Sequence, residues 1–89
     1  MPHIKIPEAL RKFSHQSEVT LDINTLNQFE RALQAALPEL AKIIFTHDHK
    51  LNGFVNLYLN QEFISDQLDA PVALAPNDTL NLVTSVSGG

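Results

Sequence analysis

Residues 54–60 carry the pattern that most restricts the fold of this chain, because aliphatic side chains occupy every second position. Alternate side chains of a β-strand point to opposite faces of a sheet, so Val55, Leu57 and Leu59 are expected to share one face. The other face then carries the intervening residues Phe54, Asn56, Tyr58 and Asn60. The segment predicts a strand with one face in the core and the other exposed.

Four other segments are consistent with strands of the same sheet. Apolar and polar residues alternate in residues 3–7, 18–23 and 79–84, which is the period of a strand. The first two are expected to pair as a hairpin, and residues 70–74 to form a short edge element, because an edge strand tolerates proline. Two intervening stretches are interpreted as connections: residues 8–13 and 61–69.

One main helix is predicted between the second and third strands. Four apolar residues recur at helical spacing and form one stripe: Leu26, Phe29, Leu33 and Leu37. Thr25 and Gln28 have the spacing of a capping box, with Asn24 as the alternative cap. Pro38 ends the helix, and residues 38–44 suit a short second one. The whole pattern predicts a single α+β domain, a mixed sheet of four to five strands packed on one main helix.

The charges restrict the classes of partner. Ten acidic and six basic residues give a net charge of −4, and without a basic stripe the sequence does not predict nucleic-acid binding. From residue 51 to residue 89 there are four acidic residues and no lysine or arginine, which suits a basic protein partner. No apolar run approaches the length of a membrane span, so no membrane association and a cytoplasmic location are expected.

No group of side chains in the sequence makes a convincing catalytic or metal site. The chain has no cysteine, which excludes disulfides and cysteine-based catalysis. His47 and His49 lie two residues apart in a polar loop, a spacing more typical of a solvated loop than of a metal site. Ser14 and His15 lack the glycines of a nucleophile elbow. We therefore expect that the chain is not an enzyme and binds no metal or cofactor of its own.

The sequence ends in Gly88 and Gly89, two of its three glycines. Glycine loses much conformational entropy on folding and offers no side chain to pack. A glycine pair at the end suits a narrow channel and leaves the final carbonyl unhindered. Five extended residues from Ser85 reach roughly 17 Å, enough to enter the active site of another protein. The predicted division is a folded domain, residues 1–84, and a flexible tail, residues 85–89.

Three stretches of the sequence resemble the sulfur-carrier branch of the ubiquitin-like proteins, the MoaD, ThiS and CysO type. Residues 6–11 are similar to the family's Ile-Pro-x-x-Leu-Arg opening, and residues 54–62 to its Phe-Val-Asn-x-(Tyr/Phe)-Val-Asn-x-Glu motif. The third is the terminal Gly-Gly after the last strand. The likeness is closest to the MoaD and CysO types. It departs at residues 84–87, Thr-Ser-Val-Ser, where relatives often carry proline or alanine.

This resemblance implies a ubiquitin-like β-grasp fold and a sulfur carrier that is a substrate of enzymes. A partner adenylating enzyme would use MgATP to activate the Gly89 carboxylate. Sulfur delivered to that carbonyl would give a thiocarboxylate, with Gly88 and Ser87 in the tail that enters the partner. The second implied partner is a sulfur-accepting enzyme, of the molybdopterin synthase large-subunit or cysteine synthase type. Cofactors, cysteine and other sulfur metabolites are all open as products.

The resemblance also implies docking through the exposed face of the sheet, since relatives bind their enzymes through this face and the tail. Tyr58, Val83 and Phe54 are the candidate docking residues, because an exposed aromatic and aliphatic group suits a protein contact. Two alternatives stay open for function. One is a ubiquitin-like modifier joined through Gly89 to lysines of target proteins, and the other is a non-covalent β-grasp interaction domain.

Overall fold

The computed structural model describes residues 1–85, which form a single mixed sheet with helices. The strands are β1 His3–Lys5, β2 Glu18–Thr20, β3 Val55–Leu59, β4 Glu62–Phe63 and β5 Thr79–Thr84, and the helices are α1 Arg11–Ser14, α2 Phe29–Ala36 and α3 Pro38–Ile44. Their order in the sheet is β2-β1-β5-β3-β4. β1 and β5 are parallel, and the other neighbours are antiparallel. The predicted hairpin of the first two strands is confirmed, as is the second helix after Pro38.

One face of the sheet and the helices share one hydrophobic core. Ile4 pairs with Leu80, and Leu80 pairs with Leu59, so these aliphatic residues of three strands lie on one side. Ile4, Leu57 and Leu80 are fully buried. The predicted helical stripe is buried against them, with all four members in the core: Leu26, Phe29, Leu33 and Leu37.

The start of α2 shows how a polar side chain fixes the entry of the chain. A 3-10 turn, Leu26–Gln28, precedes the helix. The Oε1 atom of Gln28 accepts hydrogen bonds from the backbone N–H groups of Asn24, at 2.9 Å, and Thr25, at 3.4 Å. The bond to Thr25 is the reach-back half of the predicted capping box, and the bond to Asn24 holds the residue before the cap. Both halves of the box are present, so the prediction is confirmed, and the Thr25 hydroxyl also donates to Asn27 Oδ1 at 2.6 Å.

The first interpreted connection, residues 8–13, is helical, so that interpretation was incomplete. A 3-10 turn, Glu8–Leu10, leads directly into α1. Leu10 is buried at 2% exposure, and Arg11 Nε donates a hydrogen bond to the Ile6 carbonyl at 3.1 Å. His15, at φ 61°, ends α1 in the left-handed conformation. One anchored turn suffices for the tertiary contacts but is too short to show a helical period.

The second interpreted connection, residues 61–69, contains a strand and was wrong in that part. β4 pairs with the end of β3, Tyr58 with Phe63 and Leu59 with Glu62. Asn60 has φ 57°, a conformation that asparagine tolerates and that tight hairpin turns require. A third 3-10 turn, Ser65–Gln67, follows.

Residues 70–74 do not form an edge strand of the main sheet, contrary to the prediction. Ala73 forms an isolated bridge with Thr25. The Leu26 N–H donates to the Val72 carbonyl at 2.8 Å, and the Leu74 N–H to the Asn24 carbonyl at 3.0 Å. The segment therefore holds the chain that enters α2. The edges of the sheet are β2 and β4, and β2 ends at Thr20, earlier than the predicted residue 23.

Candidate functional site

The exposed face of the sheet gathers four large apolar or aromatic residues at the β5-β3-β4 side. Tyr58 pairs with Phe63, and Val83 pairs with Asn56 two residues before Tyr58, so these side chains lie on one face. Phe54, Phe63 and Val83 are 38%, 47% and 42% exposed, and Tyr58 is half-buried. We call Phe54, Tyr58, Phe63 and Val83 the apolar patch.

Two aromatic rings within the apolar patch are in contact. The Tyr58 and Phe63 rings meet edge to face, with centroids 5.6 Å apart and an interplanar angle of 76°. Such pairs contribute about 0.5–1.5 kcal/mol beyond the area that they bury. Phe63 was missed as a candidate because it lay in the stretch interpreted as a connection. The signal that identifies it is the asparagine turn after β3, which returns Phe63 beside Tyr58.

The last described residue of the chain lies beside this patch. β5 is a central strand between β1 and β3, and its pairing continues to Ser85, whose N–H donates to the Phe54 carbonyl at 2.7 Å. Ser85 therefore lies next to the apolar patch. The predicted tail residues Ser87, Gly88 and Gly89 lie outside the described residues.

The other side of the same face is ionic. His3 Nδ1 lies 2.9 Å from Glu18 Oε2, and Lys5 Nζ lies 4.0 Å from Glu18 Oε1. These side chains are 42–59% exposed. We call His3, Lys5 and Glu18, on β1 and β2, the ionic cluster. It separates the apolar patch from the β2 edge of the sheet.

The acidic residues of the carboxyl-terminal half have different roles. Asp78 is structural, since its Oδ2 atom accepts from the Ala75 N–H at 2.7 Å and its Oδ1 atom from Asn60 Nδ2 at 3.2 Å. Within residues 1–85, Glu62, Asp66 and Asp69 form no ion pair. Their charge is therefore available to a partner.

The loop that carries His47 and His49 makes a surface contact with α2. His49 Nδ1 lies 3.0 Å from Glu30 Oε2 on α2, and His47 Nε2 lies 3.5 Å from Asp48 Oδ1. Across residues 1–85, no three or more His, Asp or Glu side chains converge in a way that could hold a metal ion. Nor does any helix in that range have the length and apolar character needed to cross a membrane.

Comparisons with known proteins agree with this architecture. The sequence profile of the ThiS family matches residues 4–89. SAMP1 from Haloferax volcanii is similar with a TM-score of 0.80 and 27% identity, covering 99% of this chain and 98% of that one. CysO from Mycobacterium tuberculosis has a TM-score of 0.79 and 25% identity, over 97% and 100% of the two chains.

A third solved structure, the BexX/CysO complex from Amycolatopsis orientalis, is similar in fold. The TM-score is 0.80 at 22% identity, and the match covers 100% of both chains. No curated protein sequence matches the chain. The neighbours are β-grasp ubiquitin-like proteins, so the predicted α+β β-grasp fold is confirmed.

Proposed function

Because the chain belongs to the ThiS family of small ubiquitin-like carrier proteins, we propose that it carries sulfur as a thiocarboxylate on Gly89. The observation that carries this proposal is the family match, which extends through Gly88 and Gly89 to residue 89. The position of Ser85 against Phe54 supports it, because a partner that docks on the apolar patch also meets the start of the tail.

The chemistry requires activation from outside the chain. A carboxylate resists nucleophiles because its carbonyl is electron-rich and oxide is a poor leaving group. In the proposed first step, a Gly89 carboxylate oxygen attacks the α-phosphorus of MgATP held by a partner adenylating enzyme. The bond to pyrophosphate breaks, and a Gly89 acyl-adenylate forms. Hydrosulfide then adds to the carbonyl carbon, AMP leaves, and the thiocarboxylate remains.

The folded domain contributes recognition to these steps, and the partner enzymes contribute catalysis. Exposed aromatic side chains flanked by solvated residues are typical anchors of protein interfaces. We propose that Tyr58, Val83 and Phe54, together with Phe63, contact the adenylating enzyme and then the sulfur-accepting enzyme. That the Amycolatopsis CysO structure is a complex with BexX supports a carrier that works while bound to a partner protein. The product remains a cofactor, cysteine or another sulfur metabolite.

Intact-mass spectrometry tests the proposal directly. The chain is incubated with a purified adenylating enzyme of the ubiquitin-activating type, MgATP and sulfide. We expect one terminal oxygen to be replaced by sulfur. Deleting Gly89 should abolish this change. Gly53→Ala should retain it, because a Cβ added at Gly53 meets nothing within 4 Å. The enzyme's activity is checked by its exchange of pyrophosphate into ATP. If the mass of the chain is unchanged with an active enzyme, the proposal is wrong.

A second candidate function is protein modification through Gly89. The specific observation that favours it is the similarity to SAMP1, a small archaeal modifier protein, at 27% identity over nearly the whole chain. In that case the acyl-adenylate carbonyl passes to a lysine amine of a target, and an isopeptide bond replaces the bond to AMP. Adducts that persist under thiol reagents and disappear on Gly89 deletion distinguish this function from sulfur transfer.

A further inference from the structure

An open groove lies beside β3, at the point where β4 has ended. β4 pairs only with Tyr58 and Leu59. At Leu57 the strand partner is replaced by Ser65, whose Oγ atom accepts from the Leu57 N–H at 2.7 Å. Two residues earlier, the Val55 N–H donates to the Asn52 carbonyl at 3.0 Å. Val55 lines the groove, which has a volume of about 640 Å³.

The lining of this groove is apolar beside the strand. Val55 is buried, and Leu51 and Leu68 are half-buried against the core. Phe63, a member of the apolar patch that is 47% exposed, also lines the groove. An aliphatic side chain placed between Leu51 and Leu68 would remove apolar surface from water, at about 25 cal/mol per Å².

The rest of the lining is mostly polar, with His49, Asn52, Asn56 and Ser65 beside a group of acids. Asp48, Asp66 and Asp69 line the groove against one cation, Lys50. All three carboxylates are exposed, and within residues 1–85 neither Asp66 nor Asp69 forms an ion pair. No lysine or arginine occurs after residue 50. An anionic ligand is therefore repelled, and a purely apolar ligand leaves the carboxylates without a partner.

We propose that this groove binds a basic segment of a partner protein through an arginine side chain. The aliphatic stem of an arginine matches the surface of Leu51 and Leu68, while its guanidinium group reaches Asp66 and Asp69. Charge-assisted hydrogen bonds of this kind are stronger than neutral ones and orient the partner. The inference goes beyond the proposed function, because it uses neither Gly89 nor its activation.

A titration of the isotope-labelled full chain followed by amide NMR tests this inference. The probe is an acetylated, amidated peptide of alternating arginine and leucine, with the same peptide carrying glutamate for arginine as its control. We expect saturable shifts confined to residues 50–56 and 65–69 with the arginine peptide, and none with the glutamate peptide. Asp66→Asn with Asp69→Asn should weaken binding at least about tenfold. Asp22→Asn, an exposed acid outside the groove, should not.

Each other result assigns the groove differently. Shifts centred on Tyr58 and Val83, or equal affinity with Asp66→Asn and Asp69→Asn in a chain that keeps its native spectrum, overturn the inference. A chain that dimerises without peptide and shows the dimer shifts at residues 50–56 and 65–69 does so too, because the groove then has a second copy as its occupant. The peptide should bind the Gly89 deletion equally well, so the outcome is independent of the sulfur chemistry.

Discussion

The two sides of the exposed sheet face have the same backbone structure and opposite surface chemistry. On β1 and β2 the ionic cluster joins His3, Lys5 and Glu18 through contacts of 2.9 and 4.0 Å. On β5, β3 and β4 the corresponding positions carry the apolar patch. Both sides are exposed, so the stability of the core does not dictate the choice of side chain on either.

The position of each side explains the difference. The ionic cluster borders β2, an edge strand, where charges discourage pairing with another chain. The apolar patch includes Val83 near the end of β5. Ser85, the last described residue, follows β5 and begins the predicted tail. Apolar groups exposed together favour association with another protein. The comparison indicates that one side of this face is suited to solvent and the other to a partner.

The largest expected effect comes from placing a charge on the apolar patch. Val83→Asp should lower affinity for the adenylating enzyme by about 10- to 100-fold, because the carboxylate loses its water in the interface without gaining a partner. The matched control is Thr20→Asp, which adds the same charge on the same face beside the ionic cluster. It should change affinity less than about threefold.

Isothermal titration of both variants against the purified enzyme measures the difference. Val83 is 42% exposed, so the free energy of unfolding should stay within about 0.5 kcal/mol of the parent chain. Equal losses of affinity in Val83→Asp and Thr20→Asp would show that net charge, and not the apolar patch, controls docking.

The sequence predicts the long elements of this fold because each repeats a pattern over enough residues. In β3, apolar residues alternate with other residues three times. The four apolar residues of the predicted helical stripe span more than two helical turns. β4 has two residues and α1 has four; neither shows a period in the sequence, and tertiary contacts decide them. β4 depends on the turn at Asn60, which has φ 57°. Asparagine permits this conformation, but a single asparagine in a sequence does not predict a turn.

The candidate site was predicted in part for the same reason. Tyr58 and Val83 follow from the strand alternation, and the structure places both on the exposed face. Phe63 could not be predicted in the same way. Its position beside Tyr58 depends on the register of the β3-β4 hairpin, which the sequence pattern does not give. The contact between His49 and Glu30 joins residues nineteen positions apart, a separation that no local pattern reports. The roles of Ser87, Gly88 and Gly89 stay predictions.

An intermediate effect is expected from the aromatic pair inside the apolar patch. Tyr58→Ala and Phe63→Ala, singly and together, form a double-mutant cycle on the free energy of unfolding by urea. The coupling energy should be about 0.5–1.5 kcal/mol, because the rings meet edge to face. The same cycle on Asn56 and Val83, a cross-strand pair without two rings, should give at most about 0.5 kcal/mol. Equal couplings would mean that the patch is a set of separate side chains.

The smallest expected effect is on the ionic side. Glu18→Gln removes the negative charge that faces His3 and Lys5, whose side chains are 43% and 59% exposed. Water already screens such pairs, so the free energy of unfolding should fall by no more than about 0.5 kcal/mol. Urea unfolding at low and high salt measures this change, and salt should reduce it further.

Asp22→Asn is the control for that measurement, since Asp22 is exposed and forms no ion pair within residues 1–85. A loss for Glu18→Gln that clearly exceeds the control and persists in high salt would make the ionic cluster a structural element of the β1-β2 hairpin. The contrast between the two sides would then be one of stability as well as recognition. A loss equal to the control shows that the ionic cluster adds no stability to the hairpin, and the contrast between the two sides is then one of surface chemistry alone.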